Sequence, residues 1–215
     1  MNNSSCVLPN LYLPSVDLFC ALANYQTLQL DASDIYQKQT YRNRCNIIGA
    51  NGIQTLTVPV VNGHSMGMRF KDVRIAYDTR WQQIHWRSIS AAYKSSPFFE
   101  YYEDDFVGFY TKQHTFLFEY NAELLRLILQ LLDFSKEKQV VLMDVNNQLI
   151  DNDLRLLANS KQSIDTSIPQ PPYWQVFNDR HSFTPHLSIL DLLFNMGTES
   201  YLYLEGWGRA YVQKS

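Results

Sequence analysis

Residues Ser5 to Leu30 read SCVLPNLYLPSVDLFCALANYQTLQL, and this stretch decides the fold class. Ser5-Cys6-Val7-Leu8 is a short β-prone run stopped by Pro9 and Asn10. Val16 to Tyr25 then carries Val16, Phe19, Cys20, Leu22 and Ala23 at helical spacing, and Thr27 to Leu30 returns to strand character. A strand, a loop holding Pro9 and Pro14, a helix and a second strand make a βαβ unit. Parallel pairing with a right-handed crossover is the expected arrangement. Such units place polar chemistry where their strands end, here at Pro9 to Tyr12 and at Asp31 to Asp34.

Working outward, Cys45 to Gly49 and Ile53 to Val60 flank Gly49-Ala50-Asn51-Gly52, and Asn-Gly between two apolar, β-prone runs signals a hairpin. Beyond the loop Val61 to Gly67, Val73 to Tyr77 fits another strand. From Thr79 the period turns helical: Trp81, Ile84, His85, Ser88, Ile89 and Ala92 set His85 on or beside a buried stripe. Pro97 restricts Ser96 and opens a helix containing Phe98, Tyr101 and Tyr102. A third helix spans about Thr115 to Asp133, Val140 to Met143 reads as a late strand, and Ser188 to Met196 ahead of Gly197 makes a C-terminal helix. The proline-rich stretch Gln162 to Pro172 reads as a surface loop, because too few residues follow it to build a second core. The expectation is one α/β domain over residues 1–215, with a mixed β-sheet, a βαβ start, an antiparallel hairpin and a helical second half.

The chain has 215 residues, 46% hydrophobic and 18% charged, a composition that excludes intrinsic disorder. Eighteen Lys plus Arg against 21 Asp plus Glu give a net charge of −3, which argues against bulk nucleic-acid binding. Three widely spaced cysteines offer neither a disulfide framework nor a metal signature, and the five histidines show no ligand spacing. No metal and no cofactor is expected. Leu124 to Phe134, the most apolar segment, is interrupted by Arg126, Gln130 and Asp133 and is too short to span a bilayer. The amino-terminal residues carry no export signal, so the expected location is cytoplasmic.

Lys38-Gln39-Thr40-Tyr41-Arg42-Asn43-Arg44 is the dense basic cluster of this acidic chain. Read as extended, it puts Arg42 and Arg44 on one face, a fork of donors suited to phosphate or carboxylate. The alternative is that its cations pair with Asp31, Asp34 or Asp72. His85, between Trp81 and Trp86, is either a general base or a core-edge histidine held by a hydrogen bond. Glu100, Glu103, Asp104 and Asp105 form an acidic helix face. No GxSxG, GxxxxGK[ST] or GxGxxG motif occurs, which removes the strongest support for common hydrolase, P-loop and dinucleotide-binding readings.

Leu8-Pro9-Asn10-Leu11-Tyr12-Leu13-Pro14, Tyr36 to Arg44 and Leu56-Thr57-Val58-Pro59-Val60 resemble, in order and spacing, the bacterial WbqC-like family. Trp81 to Tyr102 and Phe183 to Leu193 resemble its later motifs, so the likeness runs nearly the whole chain. Members commonly have Gln where this chain has Leu8. The resemblance implies a role in O-antigen or other surface-polysaccharide clusters, with glycine transfer to a sugar suggested for some members. A transferase moving an aminoacyl (glycine) or acyl group to an amino sugar, nucleotide-linked or not, needs cations for the anionic substrate and a base for the acceptor amine. Lys38, Arg42 and Arg44 suit the first role, with Asn10, Tyr12 and Asn43 as further substrate contacts, and His85 or Asp31 suits the second. The competing expectation is a non-catalytic assembly protein that docks an anionic partner through Lys38 to Arg44.

Overall fold

The computed structural model describes residues 4–61, 67–134, 138–145, 152–159 and 169–212. Most of the Val61 to Gly67 loop, His64 and much of the Gln162 to Pro172 loop lie outside these.

The opening forms as the sequence dictates. Strand β1 (Ser5–Leu8), helix α1 (Val16–Leu22) and strand β2 (Thr27–Asp31) make a βαβ unit whose strands pair in parallel, Ser5 opposite Thr27 and Leu8 opposite Leu30. All seven residues of α1 are buried, Asp17 included. Strands β3 (Arg44–Gly49) and β4 (Gly52–Thr57) form the antiparallel hairpin. Gly49 pairs with Gly52 around Ala50-Asn51, and Gly52 takes φ +105°, so the glycine serves the first position of the returning strand.

Helices α2 (Trp81–Tyr93), α3 (Phe99–Thr111) and α4 (Leu117–Leu131) follow, then strand β5 (Gln139–Met143), which adds in parallel to the far edge of β2. The fold is thus α/β, with a three-stranded parallel sheet ordered β1-β2-β5 and the hairpin as a separate two-stranded ladder. Val73 to Tyr77 forms no strand. Its backbone bonds are divided between Val60 and Phe116 in isolated bridges, and Pro59, which has no N–H, only accepts from Ala76.

Helix α5 (Ile189–Met196) lies where expected, its cap Ser188 accepting from the Leu190 N–H. A further helix, α6 (Ser200–Val212), was not anticipated, because Gly206 and Gly208 lower the helix propensity of that stretch. Gly208 is required there: a Cβ at this position would sit 2.8 Å from the Cys20 carbonyl oxygen of α1. One core cluster runs from Cys6 to Trp207. Its C-terminal half centres on Phe194, whose ring contacts Tyr93, Phe99 and Phe106. Gly197, between α5 and α6, has φ +56°, and a Cβ on it would meet the Phe98 ring at 2.6 Å. Gly197→Ala is therefore expected to cost about 2 kcal/mol, strain and overpacking together, seen as a lower midpoint in urea unfolding. An unchanged midpoint would show that Phe98 yields freely.

Candidate active site at the carboxyl edge of the parallel sheet

Asp31 is the last residue of β2, beside the end of β5. Its Oδ1 accepts from the Ser33 N–H at 2.8 Å and from the Ser33 hydroxyl, which closes a tight turn after the strand. Its Oδ2 accepts from Arg155 Nη1 at 2.7 Å. Arg155 arrives because residues 152–154 run alongside β1: Val7 N–H donates to Asn152 O and Leu154 N–H donates to Val7 O. The parallel bridge Val7 to Asp153 lies on the side of β1 away from β2, since successive residues of a strand direct their bonds to opposite sides. The order of the sheet therefore reverses at β1, and ligand crevices in open α/β sheets form at such a reversal, outside the carboxyl ends.

Arg155 Nε also donates to Asp153 Oδ1 at 2.9 Å, and Nη2 donates to Asp153 Oδ2 at 2.6 Å. These bonds hold the Asp153 carboxyl below the usual carboxylate range. Among the described residues, Nη1 and Nη2 of Arg155 each keep one N–H for another partner. Facing this group, Arg42 grips Asp34 with two donors, Nε to Oδ2 at 2.9 Å and Nη2 to Oδ1 at 3.1 Å. Burial raises the Asp34 carboxyl above its ordinary pKa although Arg42 opposes the rise. Asp34, Gln37, Arg42, Asp153, Arg155 and Asn159 line a cavity of about 340 Å³.

The segment Lys38 to Asn43 is a series of turns and not a strand, with β3 starting only at Arg44, so Arg42 and Arg44 do not form a common fork. Gln39 adopts φ +57°, the Thr40 hydroxyl donates to Gln37 O, and the Arg42–Asp34 pair folds the chain back on itself. Arg42 is buried and takes the carboxylate partnership weighed from the sequence, with Asp34. Lys38 is exposed. Arg44 is half-buried at the start of β3, and its Nε is buried with no hydrogen-bond partner among the described residues.

Asn43 donates to Val58 O, Asn10 to Phe118 O, and Asn121 to Arg42 O, all at 2.8–2.9 Å. The Asn10 and Asn121 amides pin the loops after β1 and before β3 onto α4, and Asn43 ties the second of these loops to the chain just after β4. Tyr12 and His85 meet away from the cavity: Tyr12 Oη lies 2.9 Å from His85 Nδ1 and 3.0 Å from Tyr110 Oη. Burial lowers the His85 pKa to about 4, against a hydrogen bond to the Thr57 backbone. A neutral ring has one N–H; given to Thr57, it leaves Nδ1 to accept from Tyr12, whose oxygen accepts in turn from Tyr110. The structure thus brings Arg42 to the cavity, sets Asp31 behind Arg155, and puts Tyr12 with His85 elsewhere. Sequence reading missed Asp153 and Arg155. The signal was their place just past the carboxyl end of the last parallel strand.

Residues 10–168 match the sequence model of the WbqC-like protein family. The chain belongs to that family. All residues lining the edge cavity fall inside the matched span of this WbqC-like protein, whereas β1, α5 and α6 fall outside it. It is similar to the uncharacterized protein Rv1507c of Mycobacterium tuberculosis (strain ATCC 25618 / H37Rv), 28% identical over 196 residues, covering 79% of this chain and 83% of that protein. No solved structure matches. Among the described residues of the WbqC-like chain, no helix is long and apolar enough to cross a membrane.

Proposed function

We propose that this WbqC-like protein is a cytoplasmic transferase that attaches an aminoacyl (glycine) or acyl group to an amino sugar, as a nucleotide-linked substrate of surface-polysaccharide biosynthesis, and that its site is the edge cavity. The observation that carries this reading is the meeting of Arg155, with N–H donors to spare, and Asp34, a carboxylate of raised proton affinity, across one cavity. In aminolysis the acceptor amine attacks the acyl carbon, a negative charge develops on the acyl oxygen, and the nitrogen must lose a proton before the leaving group departs. Arg155 is placed to stabilise that oxyanion, and Asp34 to take the proton. Asp31 acts through Arg155 as its positioning partner. His85 does not line the cavity, so the base is assigned to Asp34.

The docking alternative through Lys38 to Arg44 would rest on the exposed Lys38 and the half-buried Arg44, since Arg42 and Asn43 are buried. The test is mass-spectrometric detection of product from an activated acyl or glycyl donor and a nucleotide-linked amino sugar, with Asp34→Asn and Arg155→Ala as variants. Each is expected to lower kcat by roughly 100-fold or more, Arg155→Ala with the fold retained by circular dichroism and Asp34→Asn when assayed below its own unfolding midpoint, because it leaves the buried Arg42 without its carboxylate. Product formation unaffected by both variants would move the chemistry out of this cavity.

A further inference from the structure

A second cavity, of about 380 Å³, lies between the start of α2 and the end of α3. It shares no residue with the edge cavity, and its lining chemistry is different. No carboxylate lines it, and its single charged side chain is Arg80, exposed and in no ion pair among the described residues. An anion therefore meets one uncompensated guanidinium, where in the edge cavity it would meet guanidiniums already engaged by aspartates.

Two of its walls are tyrosines whose hydroxyls are tied down. Tyr77 Oη donates to His114 O at 3.0 Å and accepts from His114 N–H at 2.8 Å. Tyr110 Oη is bonded to Tyr12. Tyr110 is buried with its ring stacked on Trp86 and forms the floor, while the half-buried Tyr77, its hydroxyl fixed, offers a rigid ring against which a ligand ring can pack at little entropic cost. Gln82 is also committed, its Nε2 donating to Phe109 O and Lys112 O. Gln83 and Gln113, both exposed, make no hydrogen bond among the described residues, so two amides, each donor and acceptor, are free at the cavity rim.

From these features we infer that the second cavity binds a phosphate monoester of a ring compound, with Arg80 on the phosphate, the ring packed against Tyr77, and Gln83 and Gln113 on ring hydroxyl or amide groups. The volume suits a small ligand of that kind. A sugar phosphate and a nucleoside monophosphate share this chemistry. The site is independent of the acyl-transfer cavity, and the experiment separates the two.

Calorimetric titration of the full chain uses inorganic phosphate, glucose 1-phosphate, AMP and unphosphorylated glucose and adenosine as probes. At least one phosphate ester is expected to bind at least tenfold more tightly than inorganic phosphate and than its own unphosphorylated ring. Which ester binds identifies the ring. Arg80→Ala is expected to weaken that ester by tenfold or more without moving the melting temperature, since Arg80 is exposed. Gln83→Ala with Gln113→Ala is expected to reduce the advantage over inorganic phosphate. Arg155→Ala should leave this binding unchanged, which keeps the result separate from the transferase reading. Absence of ester binding, equal affinity for phosphate alone, or binding insensitive to Arg80→Ala would each overturn the assignment.

Discussion

Arg42→Ala is expected to destabilise the protein by about 3–5 kcal/mol in urea unfolding, the cost of stranding one half of a buried pair. Arg42 and Asp34 are 4% and 13% exposed at their side chains and bonded through two donors, so removing the guanidinium leaves a carboxylate with little water to turn to. Burial already pushes the Asp34 pKa up with Arg42 present, and removing the guanidinium takes away the charge and hydrogen bonds that oppose that rise. The double variant Asp34→Ala/Arg42→Ala should recover part of the loss, because no charge is then stranded. Arg44→Ala gives the contrast. Arg44 has no carboxylate at ion-pair distance among the described residues, and its removal is expected to cost about 1 kcal/mol or less. Equal losses for Arg42→Ala and Arg44→Ala would contradict a structural role confined to Arg42.

The second large effect is a concealed dependence on pH. His85 has a native pKa of about 4 against an ordinary 6.5, so between those values the unfolded chain binds the extra proton and acidification favours unfolding. Asp191 behaves in the opposite way. It is fully buried in α5, accepts from Tyr173 Oη at 2.6 Å and Gln175 Nε2 at 2.8 Å, and burial raises it to about 6 from 3.8. In that window the native state holds the extra proton, and raising the pH favours unfolding. Each displacement corresponds to about 3 kcal/mol, and the windows overlap, so the two contributions largely cancel in the wild-type protein. His85→Gln should expose the Asp191 slope, with stability falling as pH rises from about 4 to 6. Asp191→Asn should expose the His85 slope, with stability falling as pH drops from about 6.5 to 4. Urea titrations at several pH values read both; curves parallel to wild type in both variants would show that neither group titrates as its burial dictates.

Much of the fold was legible because its signals are local. The change of period from strand to helix and back over Ser5 to Leu30 specifies the parallel start, and the Asn51-Gly52 corner specifies the hairpin. Less of the site was legible. The turn at Lys38 to Arg44 depends on Asp34 reaching back to Arg42, and alternation alone reads the same residues as a strand. Arg155 becomes part of the site through Asp31, far away in sequence, and through a bridge to Val7 that no local pattern announces. Helix α6 was hidden by glycines whose purpose, the close approach to α1, is tertiary.

The pairing of residues 152–154 with β1 also orders events in time. The half of the edge cavity carrying Asp34 and Arg42 is synthesised early, while the half carrying Asp153 and Arg155 emerges only after the hairpin and three helices. Closing so long a loop is slow, and contacts between distant positions form late in folding. A chain halted after α4 would expose the upper edge of β1 and leave Asp31 without its guanidinium. Competence to bind at this edge thus arises as one of the last acts of folding, and a partly made chain carries no half-active site.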